Sequence, residues 1–454
     1  MALSFYNSLT KTVEPFVPLD TAGKHVGLYT CGPTVYNYAH IGNFRAYIFG
    51  DIVKRTLLHF GYSVNHVMNL TDVDDKIIRD VQTSGKSLEE FTQFYANAFK
   101  KDCGLLQILP PTHYTRAVEH IDDMVSLIET LLEKGFAYKS DDGSVYFDVR
   151  KDPQYGQLSA LQISAQKTNA AGRISADEYE KDNVEDFALW KAWDEKDGDV
   201  FWNTSLGKGR PGWHIECSAM SMKYLGESFD IHTGGIDLVF PHHENEIAQS
   251  ECATGKPFVK YWLHNEWLMV DGKKMSKSAG NFHTLNSLVE AGFDPLAFRL
   301  WVLSGHYRTQ MNFTLEALSA SGIALTRLRN HYRELADVEG ALPDAKYLDM
   351  FSVCLSDDLN TPKALAVLWE VMKDDSLDGA TKKATLRAFD SVLGLGLSIL
   401  HTESIPEEVL VLVEKREEAR TKKDFALSDT LRTQISELGY TVKDTEDGPK
   451  VFKI

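Results

Sequence analysis

Apolar positions along the chain follow two different periods. Val26 to Thr30 is a short, β-prone apolar run. After it, Phe44, Tyr47, Ile48 and Ile52 recur at helical spacing, with Gly61 as the stop. A second apolar strand, Ser63 to Thr71, runs into the polar stretch Thr71-Asp-Val-Asp-Asp75. Strand, helix, strand, with a polar loop at each strand's carboxyl end, is how a doubly wound α/β domain begins. Helices are predicted over Lys86 to Lys101 and over Ala117 to Lys134, the latter with Ile121, Met124, Val125, Ile128 and Leu132 on one face. From 136 to 210 the pattern breaks. Tyr138 to Phe147 reads as a hairpin around Asp141-Asp-Gly143, and 159–182 as a polar loop or arm. The α/β pattern resumes near Trp213, with a short strand Phe229 to His232 and a helix from His242 to about Gly255. Beyond about 286 the chain turns helical, over Ala317 to Ala336, Pro362 to Met372 and Thr381 to Leu393. A last unit after Pro406 has helices Glu407 to Arg420 and Ser428 to Leu438, then strand-like Tyr440 to Val442 and Lys450 to Ile454.

Composition narrows the function classes. At 454 residues, 43% hydrophobic and 25% charged, the chain suits a soluble protein of two to four domains. No apolar run approaches the 18 or so residues of a membrane span. The leading MALSFYNSLTKTVEPF has no basic segment followed by an apolar core, so a cytoplasmic protein is expected. A net charge of −17 argues against a general nucleic-acid coat, though not against a local basic face for one RNA. Five cysteines without a secretory pattern argue against a disulfide scaffold.

The candidate chemistry clusters in short blocks. The first is Tyr29 to Asn43, YTCGPTVYNYAHIGN, a strand-to-helix turn. It places His40-Ile-Gly-Asn43 at a helix N-terminus, where orphan N–H groups and the helix dipole suit phosphate. Gly42 lets the backbone approach a ligand, and His40 offers a ring donor. The second block is His242-His-Glu-Asn-Glu246, in which His242 and Glu246 are i and i+4 and share one helix face. That spacing suits two helical ligands of one divalent metal. Cys217, in Trp213-His-Ile-Glu-Cys217, and Cys31 could complete a site of two thiolates, one imidazole and one carboxylate, a set that favours zinc. His243 and Glu244 are the alternatives one position off. The third block is Lys274-Met-Ser-Lys-Ser278. Cys103, Cys252 and Cys354 match no motif and read as inert thiols.

Together, HIGN and KMSKS resemble the signature pair of class I aminoacyl-tRNA synthetases. CGPTVY, GWHIECSAM, FDIHTGGIDLVFPHHENEIAQ and the tail KKDFALSDTLRTQISELGYTVKDT sharpen this to a resemblance to the cysteine–tRNA ligases, over essentially the whole chain. The resemblance implies ligation of L-cysteine to tRNA(Cys) through a cysteinyl-adenylate, using ATP with Mg²⁺, and one zinc held by Cys31, Cys217, His242 and Glu246. It implies catalytic roles for His40, Asn43, Lys274 and Lys277. It places ATP against His40, Gly42, Gly234, Gly235, Asp237 and Lys277, with Asp237 reaching the ribose. Thr71, Trp213 and His232 align with the family's amino-acid pocket. A soft-ligand zinc would choose thiolate over hydroxyl where shape alone gives about 1–3 kcal/mol.

The expected architecture is a Rossmann-like catalytic domain in two parts (1–135 and 211–268) around a connective insertion (136–210). A KMSKS and stem-contact region (269–312), a helical anticodon-side bundle (313–400) and a small mixed C-terminal anticodon domain (405–454) follow. Lys415, Arg416, Arg420, Lys422, Lys423 and Arg432 are candidate tRNA contacts, with interleaved acids as competing partners. No membrane contact and a monomer are expected. Three other readings compete. A mycothiol-pathway amino-sugar ligase would also activate cysteine, but that group lacks an anticodon module like 405–454. A small-molecule nucleotidyl transferase would not need the metal donors. An inactive RNA-binding relative would not need intact His40, Lys274 and Lys277.

Overall fold

The structure is a computed structural model that describes residues 2–160, 186–275, 281–397, 406–445 and 448–453. Among these, β1 (Ser4–Asn7) and β2 (Thr12–Pro15) form an antiparallel hairpin. There follow β3 (His25–Thr30), α1 (Ile41–His59), β4 (Ser63–Leu70), α2 (Asp75–Ser84), α3 (Leu88–Leu105), β5 (His113–Arg116) and α4 (Ile121–Glu133). A five-stranded sheet comes next: β6 (Ala137–Lys139), β7 (Val145–Phe147), β8 (Phe187–Ala192), β9 (Trp202–Thr204) and β10 (Gly207–Pro211). The α/β pattern returns with α5 (Trp213–Leu225), β11 (Phe229–Gly235), α6 (Glu244–Thr254) and β12 (Val259–Asn265).

The central sheet has the order β12-β11-β3-β4-β5, and every pairing in it is parallel. In chain order this is the mononucleotide-binding arrangement of a doubly wound fold, with the order reversing between β3 and β11. Ligands bind such sheets in the crevice beyond the strand ends at that reversal. α1 follows β3 and is buried almost all round, charged residues included. Ile41, Phe44, Ile48, Val53 and Leu57 are fully buried, so the helix runs through the protein rather than along its surface.

The remaining described elements are β13 (Leu268–Val270), β14 (Lys273–Lys274), α7 (Leu285–Glu290), α8 (Pro295–Leu303) and β15 (Met311–Phe313), then α9 (Leu315–Glu334), α10 (Ala345–Ser356), α11 (Thr361–Lys373) and α12 (Gly379–Leu393). β13 lies between β14 and β15 in a small sheet. Side chains of α1 share one continuous core with those of α8 to α12. The last unit has α13 (Glu407–Thr421), α14 (Phe425–Glu437) and the hairpin β16 (Tyr440–Thr445) with β17 (Gly448–Lys453).

Several sequence expectations change. The helix expected over Ala117 to Lys134 is a short 3₁₀ turn, Ala117–Glu119, followed by α4 from Ile121. Leu131 takes the deep position on α4 and Leu132 is half-buried. The helix expected from His242 begins at Glu244, after an irregular turn Val239–His243. The strand expected over Phe229 to His232 continues to Gly235. β5, β12, α2, α5, α8 and α10 were not anticipated element by element. Of the polar arm expected over 159–182, residues from 161 on lie outside the described residues.

Candidate active site at the sheet reversal

Cys31 follows directly on β3 at the reversal, and its N–H donates to the Thr233 carbonyl of β11 at 3.3 Å. Nine residues on, His40 caps α1 by a reciprocal pair of hydrogen bonds. The Asn43 N–H donates to His40 Nδ1 at 3.1 Å, and the His40 N–H donates to Asn43 Oδ1 at 3.2 Å. Because Nδ1 accepts, the neutral ring carries its proton on Nε2, the donor expected to face a phosphoryl oxygen. Burial pulls His40 below its ordinary pKa, with Asp237 opposing. A Cβ at Gly42 would lie 3.0 Å from the His40 ring, so a side chain there would press the ring out of its place, while Met275 Cε at 3.5 Å would be in ordinary contact. Asn43, expected as a catalytic residue, holds the His40 ring through its main-chain N–H, while its side-chain oxygen accepts from the His40 main-chain N–H.

The four expected metal donors arrive from different elements: the end of β3, α5, the turn before α6, and α6 itself. One ligand atom from each of Cys31, Cys217, His242 and Glu246 lies within 4.8 Å of all the others, and all four residues are buried. The two sulfurs are 3.9 Å apart, and His242 Nε2 is 3.0 Å from Glu246 Oε1. Two sulfurs on a tetrahedral ion with ~2.3 Å bonds stand about 3.8 Å apart, so the spacing fits one zinc-sized ion. A second group, Cys31, His232, His243 and Glu246, shares two of these donors. In it, His232 Nε2 is 3.0 Å from Glu246 Oε2, and His243 Nε2 is 3.5 Å from Cys31 Sγ. The outer nitrogens are also held: His242 Nδ1 by His214 Nδ1 at 2.9 Å, and His243 Nδ1 by His264 Nε2 at 2.8 Å.

The electrostatics follow from packing the donors together in a buried site. Burial alone would raise the Glu246 carboxyl, but His232 and His242 outweigh it and bring it down to about 2. Burial would lower His242, yet Glu246 and Cys217 lift it to about 10. Burial opposes ionisation of Cys217, but Cys31 and His242 bring it to about 6. Cys31 is pushed well up, by burial first and then by Cys217. Two sulfurs beside a carboxylate cannot both ionise unaided, and a divalent cation would let them.

Of the three expected pocket residues, Trp213 and His232 touch this cluster, and Thr71 bonds to Glu216, the neighbour of Cys217. The Trp213 ring stacks on His242 with centroids 4.3 Å apart. Thr71 Oγ1 donates to Glu216 Oε2 at 3.0 Å. His232 is fully buried against Glu246 on one side and stacks on Trp262, with ring centroids 4.6 Å apart. Of the residues expected to take ATP, Gly234 and Gly235 end β11, and a Cβ on Gly234 would come within 2.6 Å of the His243 ring. Asp237 is exposed in the next turn. Lys274 lies in β14, which pairs with β13, while Lys277 lies outside the described residues. Tyr29, Glu216, His214 and His264 also surround the cluster and escaped the sequence reading. His214 and Glu216 sit inside the quoted WHIEC block and His264 two residues after Trp262, but polar residues on buried faces carry no periodic signal.

Among the candidate tRNA contacts, Arg416 and Arg420 both pair with Asp444 and Glu417, and Lys422 with Glu418. Lys415, Lys423 and Arg432 are exposed and make no ion pair among the described residues.

The parallel sheet reversing beside the His40-capped helix belongs to the catalytic domain of a class I tRNA synthetase. The family model for the tRNA synthetases class I (C) catalytic domain matches residues 17–322, a DALR domain matches 350–398, and a cysteinyl-tRNA ligase anticodon binding domain matches 402–450. Solved structures agree on the fold. Mycobacterium tuberculosis methionyl-tRNA synthetase with methionyl-adenylate is 15% identical at TM-score 0.56, covering 85% of this chain and 92% of that one. An Agrobacterium radiobacter LeuRS–tRNA–LeuAMS complex is 12% identical at TM-score 0.57, covering 84% of each chain. Cysteine–tRNA ligases of Chlamydia felis and Chlamydia pneumoniae are 47% and 48% identical, over 100% and 99% of this chain and 98% of each relative. The chain belongs to the cysteine–tRNA ligase family. The match over 402–450 does not favour the amino-sugar alternative.

Proposed function

We propose that this enzyme ligates L-cysteine to tRNA(Cys) through a cysteinyl-adenylate, and that it selects cysteine with a zinc held by Cys31, Cys217, His242 and Glu246. The observation that carries the reading is the convergence of these four donors beside the His40-capped helix at the sheet reversal. Two sulfurs in the set support a soft-accepting metal, and His232 and His243 serve better as outer groups that hold Glu246 and Cys31. When bound, zinc supplies a Lewis-acid site that prefers a substrate thiolate to a hydroxyl.

Activation is attack of the cysteine carboxylate on the α-phosphorus of ATP, with pyrophosphate leaving. No enzyme nucleophile is needed, so the chain's work is positioning and charge stabilisation. His40 Nε2 and the N-terminal amides of α1 bind phosphoryl oxygens. Asn43 holds the His40 ring, Gly42 keeps the approach open, and Lys274 and Lys277 neutralise the departing pyrophosphate, which carries Mg²⁺. Gly234, Gly235 and Asp237 take the adenosine. Thr71, Trp213 and His232 wall the amino-acid pocket. The tRNA reaches the site with its anticodon end on 313–400 and 405–454. The domain division 1–135, 136–210, 211–268 and 269–312 describes the rest. Among the described residues no helix is long and apolar enough to cross a membrane. We place the enzyme in the cytoplasm, as a monomer.

Charging of total tRNA with labelled cysteine, with serine in parallel, tests the function. Cysteine-only charging is expected. Equal charging with serine would remove the selectivity claim, and exchange of pyrophosphate without charging would remove the tRNA acceptor.

A further inference from the structure

Arg45 lies on the second turn of α1, five residues after His40, and is 1% exposed. Its guanidinium makes no ion pair among the described residues. It donates instead to three main-chain carbonyls: Trp267 at 2.5 Å, Tyr307 at 3.2 Å, and Thr309. Burial pulls the group down to about 10, with Glu266 opposing. A buried guanidinium without a counter-ion is costly, and an apolar side chain of similar volume would commonly serve stability as well or better. Its acceptors suggest what it is for. Trp267 immediately precedes β13, which pairs with Lys273 and Lys274 of β14 and with β15. The Glu266 N–H donates to the Tyr307 carbonyl at 2.8 Å, and the Met311 N–H donates to the Trp267 carbonyl at 3.2 Å. The guanidinium therefore sits where two backbone segments are already joined, and ties that junction to α1.

A second tie lies on the other flank. The Ile41 N–H donates to the His283 carbonyl at 3.0 Å, His40 and Thr284 form a β-bridge, and the Phe282 ring meets the His40 ring edge-on at 5.4 Å. The first two turns of α1 thus register both the strand unit that carries Lys274 and the segment 282–284. We propose that Arg45 is a positioning residue for ATP activation: its guanidinium fixes the Glu266–Lys274 strand unit to the helix that begins at His40. This rests on the assignment of His40 and Lys274 to ATP under the proposed function. A misplacement of about 1 Å between such groups costs on the order of 100-fold in rate.

The test is cysteine-dependent ATP–pyrophosphate exchange by the full chain, with Arg45→Lys, Arg45→Gln, Lys274→Ala and the double variant Arg45→Lys/Lys274→Ala. Lysine keeps the charge but cannot reach three carbonyls with one planar fork. Arg45→Lys is expected to lower kcat at least ~10-fold, with KM for cysteine within about twofold of the parent, and Arg45→Gln at least as much. The double variant is expected to be no slower than Lys274→Ala alone, because both changes disable one unit. Losses that multiply, an unchanged kcat, or a defect confined to thermal stability would overturn the proposal. So would failure of both Arg45 variants to fold, which would make Arg45 a folding residue. A parent protein without cysteine-dependent exchange would instead remove the proposed function.

Discussion

Gly42 shows how much a single position can decide. On an exposed helix, alanine in place of glycine would favour the helix by roughly 0.5–1 kcal/mol. Here the added methyl meets the His40 ring at 3.0 Å, with Met275 Cε 3.5 Å away on its other flank. The ring that is held by Asn43 must then move, and the helix start that it caps must move with it. Gly42→Ala is expected to lower cysteine-dependent exchange by at least ~10-fold while the thermal midpoint stays level or rises. An exchange rate equal to the parent's would show that the His40 ring has no set position in activation.

At the scale of elements, α3 carries a stability cost that can be measured. Its start is secured by a Ser87–Glu90 capping box, yet near its end Asp102 is buried, with no hydrogen bond to its carboxylate among the described residues. Burial pushes that carboxyl up to about 6, with Lys101 opposing. The unfolded chain titrates near 4, so the raised folded value means that the group's contribution to stability is full below about pH 4 and is lost as pH rises through about 6. Asp102→Asn is expected to stabilise the protein by about 1–3 kcal/mol at pH 8, and by less at pH 5, in urea titrations. A pH-independent difference would contradict this.

Elements also differ in how well the sequence announced them. α1 was legible because its apolar residues recur at helical spacing, and β4 because a short apolar run lies between turn signals. β12 was not, because it is buried on both faces and its Tyr-Trp-Leu-His-Asn run has no alternation. α5 was hidden because His214, Glu216, Ser218 and Ser221 are buried, so its polar residues look like a solvated face in one dimension. The four candidate donors were readable from residue type and from the i, i+4 spacing of His242 and Glu246, and the structure brings them together. The two histidines behind them, His214 and His264, needed the fold to bring α5 and β12 beside α6. Arg45 was invisible for a similar reason, since an arginine on a helix ordinarily reads as solvent-facing.

For the whole molecule, α1 both begins at His40 and packs into the core of the helical region. Asp51, near its middle, is 2% exposed and accepts from Arg55 Nε at 2.8 Å, Arg299 Nη2 at 2.6 Å and the Leu109 N–H at 2.8 Å. Arg299 on α8 in turn donates to the Leu393 carbonyl at the end of α12 at 2.6 Å, and Arg55 to the Ser391 carbonyl at 2.7 Å. One carboxylate thus neutralises two guanidinium groups that pin the helical region to the helix carrying His40. Asp51→Asn keeps the shape but removes the carboxylate that both cations bond to, leaving only the more distant charge of Asp390, which is expected to cost about 3–5 kcal/mol in urea unfolding. A loss under about 1 kcal/mol would mean that the arginines are satisfied by carbonyls alone.

The central claim is that the four buried donors hold a metal that chooses the amino acid. The direct measurement is zinc content together with cysteine- and serine-dependent pyrophosphate exchange, before chelation, after chelation, and after zinc is restored. The account predicts one zinc per chain in the native protein. Cysteine-dependent exchange should fall at least ~100-fold when the metal is removed and return with zinc, while serine stays inactive throughout. A metal-free protein that still activates cysteine and rejects serine would contradict it.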